Sequence, residues 1–199
     1  PRITEEWRCV HGRMWDTKDV DAIYERSEKA IFKILHNFST PKPFVLEAIE
    51  QLRAKGIKIG STTGYTDEMM SYVVPAAKEQ GYDPDAWFSP NSVNNMGRPY
   101  PYMVYKNMKA LKVSSVDAVV KVGDTVADIK EGKSAGIISI GIVEGSSIMG
   151  LSEEEYEQLS DVEKEDNIRR VRKVYEGCGA DYIIMNMSEL PALIESMEK

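Results

Sequence analysis

Beyond residue 43 the chain alternates periodic, amphipathic stretches with short apolar runs, and this alternation constrains the fold more than any other feature. The apolar runs fall at residues 57–62, 86–88, 118–122, 137–143 and 182–185. They are too short for helices and are bounded by glycine, proline or polar turns, so they predict strands. Helical periodicity fills the gaps, at 44–55, 66–81, 101–111 and 126–135, and again from Ser188 to the end. Two strands joined through a helix pair in parallel, because a tight turn cannot reverse them. The expected fold is therefore α/β, a doubly wound and mostly parallel sheet. Sheets of this kind bind ligands at the carboxyl ends of their strands.

Before this pattern the chain is helical. Ile3, Trp7, Val10 and Met14 form one stripe, and a second helix is predicted over 19–37, with Ile23, Ala30, Ile31, Ile34 and Leu35 on its apolar face. Ser39-Thr40-Pro41-Lys42-Pro43 interrupts it as a linker or hinge. Two later segments are charged. Ser152 and Glu155 have capping-box spacing, and residues 162–176 predict a surface helix with few core anchors.

Charge narrows the function. A net charge of -7 argues against a duplex nucleic-acid binder and against an anionic membrane surface. It leaves room for a small anion in a locally positive pocket. No apolar run reaches the length of a membrane span, about 20 residues. Cys9 and Cys178 lie far apart without metal-ligand spacing, which suits reduced thiols and a cytoplasmic protein. His11, His36, Trp7 and Trp15 are expected to be structural.

Three motifs sit where strands should end. In Lys121-Val122-Gly123-Asp124-Thr125-Val126-Ala127-Asp128 the two aspartates are one helical turn apart and can face one cleft. They suit magnesium, which one or two carboxylates hold together with phosphate and water; they equally suit helix capping. Gly60-Ser61-Thr62-Thr63-Gly64-Tyr65 offers a hydroxyl, a glycine and a helix start to a phosphate, or is simply a strand-to-helix turn. Met96-Gly97-Arg98-Pro99-Tyr100-Pro101 holds Arg98 in a stiff segment, either as a planar anion clamp or as a solvated surface side chain.

In that order, Thr63, Arg98 and Asp124 with Asp128 resemble the second, third and fourth motifs of the haloacid dehalogenase superfamily. Most members carry lysine in the third. Arginine in Gly97-Arg98-Pro99-Tyr100-Pro101, with the wording of residues 56–66 and 121–125, is similar to the phosphonoacetaldehyde hydrolases. The resemblance runs through nearly the whole chain. It implies magnesium-dependent hydrolysis of phosphonoacetaldehyde to acetaldehyde and phosphate by a cytoplasmic homodimer. An aspartate on the first core strand attacks phosphorus, and a cap lysine forms an imine that accepts the electrons left on carbon. By the same resemblance Asp124 binds magnesium, Asp128 supports the site, Thr63 and the Gly64 N–H hold phosphate, Arg98 clamps it, and Tyr65 lies near the substrate.

The family's Asp-x-Ala-Gly-Thr motif is not found in these residues. Asp16-Thr17 comes nearest but follows a helical stripe, not a strand. The imine lysine lies upstream of the matched region. Residues 1–38 are therefore expected to be part of a helical cap and 39–199 the core without its first strand, inactive alone. Three alternatives stand beside this reading: another phosphatase or phosphomutase of the superfamily, a non-catalytic anion- or partner-binding remnant, and a receiver-like signalling domain. The Arg98 setting disfavours the first. The last would need its acidic cluster on early strands.

Overall fold

The structure, a computed structural model, describes residues 2–35 and 39–197. The chain divides into two compact units, Pro1–Ser39 and Thr40–Lys199.

The first unit is a pair of helices, α1 (Arg2–His11) and α2 (Thr17–Ile34). Asp16 caps α2 in a reciprocal box with Asp19, so the nearest sequence match to a nucleophile motif is a helix start. The two terminal Arg13 guanidinium nitrogens donate to the Asp19 carboxylate, at 2.6 and 2.7 Å. That bidentate contact, with the backbone N–H of Asp16, holds the Asp19 carboxyl down at about 2. The expected apolar stripe is not what α1 displays. Met14 lies beyond the helix end, and both Val10 and Met14 are exposed. Trp7 instead stacks on His11, ring centroids 3.9 Å apart, with Arg13 over its indole. Asn37 and His36 lie outside the described residues.

In the second unit the order is α3 (Val45–Ala54), β1 (Gly60–Thr62), α4 (Asp67–Glu79), β2 (Ala86–Phe88), α5 (Tyr102–Leu111), β3 (Val120–Gly123), α6 (Val126–Ala135), β4 (Ile138–Ile142), α7 (Glu153–Glu157), α8 (Asp161–Gly177), β5 (Tyr182–Ile184) and α9 (Leu190–Met197). Every strand pair is parallel, as helical crossovers require. Among the described residues the strands form two sheets, β1-β2 and β3-β4-β5. The run at 57–62 pairs only over its last three residues. The Asp85 side chain takes the Ile59 N–H at 2.7 Å, and the Asp85 N–H donates to the Ile59 carbonyl at 2.8 Å. The Ile59 N–H thus goes to a side chain instead of a backbone carbonyl, and the regular ladder begins at Gly60.

The alternation along β4 defines two layers. Ile138, Ile140 and Ile142 pack with Leu52 of α3, Ile184 of β5 and Leu190 of α9. Ser139 and Gly141 face the other way. The Ser139 hydroxyl donates to the Ile129 carbonyl of α6, and the Tyr175 ring of α8 lies against Gly141, where a Cβ would come within 2.8 Å of it. Helices thus cover both faces, which is the doubly wound arrangement. The charged α8 is better anchored than its composition suggests. Val171 and Tyr175, one turn apart, are fully buried with Ile129, Val143 and Met149. No helix among the described residues is long and apolar enough to cross a membrane.

Candidate functional site

After β1 the chain turns through Thr63-Gly64-Tyr65 before Thr66 caps α4. The Thr63 N–H continues the strand direction by donating to the Phe88 carbonyl, and its hydroxyl accepts from the Tyr65 N–H at 3.0 Å. Tyr65 therefore joins the turn through its backbone. A Cβ on Gly64 would stand 3.5 Å from Arg98 Nη2, so this turn lies beside the guanidinium.

Arg98 follows a tight turn in which Gly97 packs on Pro90. A Cβ there would meet Pro90 Cγ at 2.9 Å, which explains the glycine. The Arg98–Pro99 peptide is cis. Arg98 Nη1 donates to Asp128 Oδ1 at 2.5 Å. The surface-arginine alternative does not hold, because this side chain is mostly covered.

Asp128 has two roles. It closes a capping box with Thr125 at the start of α6, and it pairs with both Arg98 and Lys121. Only 4% of Asp128 is exposed. It can lie there because Gly123 ends β3: any Cβ on Gly123 would collide with the Asp128 side chain. Burial alone would raise the Asp128 pKa. The nearby Lys121 and Arg98 charges and the Thr125 hydroxyl outweigh it, and the carboxyl sits below its ordinary value.

Behind this pair lies a network that the sequence did not disclose. Lys121 Nζ contacts Asp128 Oδ1 at 3.0 Å, Glu131 Oε2 at 2.8 Å and the Thr62 hydroxyl at 2.6 Å. The Thr62 hydroxyl donates in turn to Glu131 Oε2 at 2.8 Å. Glu131 is fully buried, and its other oxygen is without a hydrogen-bond partner among the described residues. Signs alternate along Arg98, Asp128, Lys121 and Glu131, so the buried charge is balanced. One signal for Glu131 was available: it follows Asp128 by three residues on α6 and shares its face. Thr62 and Lys121, by contrast, meet across 59 residues of sequence.

Asp124 faces elsewhere. Its side chain is 36% exposed, and its Oδ2 accepts from Lys42 Nζ at 2.9 Å. Lys42 also donates to the Gly145 carbonyl at 2.5 Å, while the Ser147 hydroxyl donates to the Asp124 carbonyl. The two aspartates thus hold different partners, and Asp128, not Asp124, shares the capping of α6 with Thr125. Asp124, Lys42 and Gly145 line a cavity of about 920 Å³ together with Gly60, Val122 and Leu190. Residues of β3 and of the segment leading into β1 both line that cavity.

The donors around Asp124 suit magnesium. A carboxylate and a backbone carbonyl are hard oxygens, and a cation, the Lys42 ammonium, already bridges them. Among the described residues no cluster of three or more acidic, histidine or cysteine side chains is placed for a metal. Magnesium does not need one where phosphate and water complete its shell.

Comparison with known proteins shows the family of the chain. A family model of haloacid dehalogenase-like hydrolases matches residues 7–136. The chain is 49% identical, over 197 residues, to a phosphonoacetaldehyde hydrolase of Parabacteroides distasonis, covering 99% of this chain and 74% of that protein. It is 44% identical over 199 residues to the phosphonoacetaldehyde hydrolase of Lysinibacillus sphaericus, again covering 74% of the relative. The crystal structure of a phosphonoacetaldehyde hydrolase-like protein from Oleispira antarctica superposes with a TM-score of 0.89 at 31% identity, over 98% of this chain and 71% of that one. Motif order, parallel α/β architecture and these likenesses converge: the chain belongs to the phosphonoacetaldehyde hydrolases, within the haloacid dehalogenase-like hydrolases.

Proposed function

We propose that this chain serves hydrolysis of the carbon–phosphorus bond of phosphonoacetaldehyde, and that its residues hold the phosphoryl group and a magnesium ion. The observation that carries this reading is the fixed Arg98. Its Nη1 is taken by a buried carboxylate, while its Nη2 stays beside the Gly64 turn. A planar fork oriented in this way recognises phosphoryl oxygens with little further ordering. Thr63 and the Gly64 N–H offer donors from the same strand end, and Tyr65 borders the substrate. Asp128 keeps Arg98 aimed without itself touching the substrate. Asp124 would hold magnesium, which when bound supplies positive charge to phosphoryl oxygens during transfer. Residues 1–38 we take as cap and the remainder as core. The attacking carboxylate and the imine-forming lysine are assigned to no residue of this chain, so binding is the proper test.

Calorimetry with inorganic phosphate and with phosphonoacetaldehyde, in magnesium, should give saturable binding to the 199-residue chain. Arg98→Lys keeps the charge but loses the fork, and should weaken binding by about tenfold. Binding that ignores Arg98→Lys, or no binding by the unaltered chain, would remove Arg98 from the site.

A further inference from the structure

Lys42 lies in the stiff segment ahead of α3, and nothing in the motifs around Asp124 calls for it. Yet its ammonium is seated between two hard oxygens from separate parts of the chain, Asp124 Oδ2 at 2.9 Å and the Gly145 carbonyl at 2.5 Å. Its stem lies over Gly145, where a Cβ would be 3.7 to 3.9 Å from Nζ, Cδ and Cε. Gly145 has a φ of +64°, a conformation that glycine adopts readily.

We propose that Lys42 is a built-in rival of the divalent cation at Asp124: it neutralises the carboxylate when no metal is bound, and it swings into solvent when one arrives. This rests on the reading of Asp124 as the magnesium ligand. The physical argument is one of like charge. An ammonium this close to the carboxylate and a divalent ion on the same group repel at short range. The lysine can also leave. Its side chain is 56% exposed and that of Asp124 36%, so water can take over both ends of the pair. Lys121, at 11% exposure and held by Asp128 and Glu131, has no such exit. An exposed pair is weak, so removing the competitor should tighten cation binding by about fivefold at most.

The test uses manganese as the probe ion, its binding read by electron paramagnetic resonance. Lys42→Met should bind manganese about two- to fivefold more tightly than the unaltered chain at low salt, and the gap should narrow as salt rises. Lys58→Met removes another lysine lining the same cavity, one whose ammonium is engaged by the Leu111 carbonyl. It should leave the affinity unchanged. Asp124→Asn should weaken binding by about tenfold or more. In the unaltered chain, acylation of Lys42 by an amine-selective reagent, followed by peptide mass spectrometry, should increase when magnesium is added. If Asp124→Asn has no effect, the metal reading falls and this proposal with it. If Asp124→Asn abolishes binding while Lys42→Met and Lys42 acylation stay unchanged, only the rivalry is overturned. An equal gain from Lys58→Met would reduce the effect to general charge and overturn it too.

Discussion

Asp124 and Asp128 are four residues apart, on either side of one helix start, yet their surroundings differ as much as two carboxylates in one protein can. Asp128 is buried between Arg98 and Lys121, with Glu131 and Thr62 behind them. Asp124 is open and held by one exposed lysine. Removing one member of a buried ionic group strands the others in low dielectric, whereas an exposed pair is screened and easily replaced by water. The first arrangement suits a group that must never move. The second suits a ligand that must exchange its partner.

The contrast can be broken most directly at Lys121. Lys121→Met leaves Glu131 buried without its cation and should destabilise the fold by about 3–5 kcal/mol in denaturant unfolding. The double variant Lys121→Met with Glu131→Leu should recover much of that. A loss under about 1 kcal/mol for the single variant would mean the two corners are energetically alike. Next comes the wall behind the network. A Cβ on Gly132 would press into the Ser139 hydroxyl and come within 2.9 Å of Lys121 Cβ. Gly132→Ala should therefore lose about 1–3 kcal/mol by overpacking, despite the better helix propensity of alanine. Gly177→Ala, where a Cβ meets nothing within 4 Å, should not be destabilising.

A graded effect should appear with pH. The folded pKa of Asp128 is depressed, so its contribution is complete above the unfolded value, about 3.9, and is lost as pH falls through the folded value. Unfolding of Asp128→Asn and of the unaltered chain should differ by a constant amount at neutral pH and converge in acid. A gap that persists in acid would assign the loss to packing instead. The smallest effect is expected at the other corner. Lys42→Met should change stability by about 1 kcal/mol or less, and the difference should fade with salt.

How far the sequence discloses all this depends on distance along the chain. α6 is legible to the residue, because Gly123-Asp124-Thr125 and Gly136 punctuate it locally. The capping boxes at Ser152 and Asp16 obey short-range rules too, although only the first was read as one. The strand expected over 57–62 is shorter in the structure, because the Asp85 side chain, from a later loop, takes the Ile59 N–H. For α8, a run of charges obscured the two anchors, Val171 and Tyr175, that hold it. The site divides in the same way. Thr63, Arg98, Asp124 and Asp128 could be named from motif wording. Lys121 lies inside the 121–128 motif, but its role is not legible there, since its partners Thr62 and Glu131 become neighbours only through the fold. Lys42 passed as linker, because nothing nearby marks it as a counter-ion for a residue 82 positions away.

The division into two sheets bears on how the molecule breathes. β4 is flanked on both sides, by β3 and β5, whereas β3 and β1 each pair on one side among the described residues and border the same cavity with the other. Amide hydrogens along β4 should therefore exchange with deuterium most slowly, in step with global unfolding. Those on the cavity side of β3 and of the segment entering β1 should exchange orders of magnitude faster, through small local openings that leave the rest intact. The slow amides would mark β4 as the anchor of the 199-residue chain, and the fast ones the two segments that border the cavity.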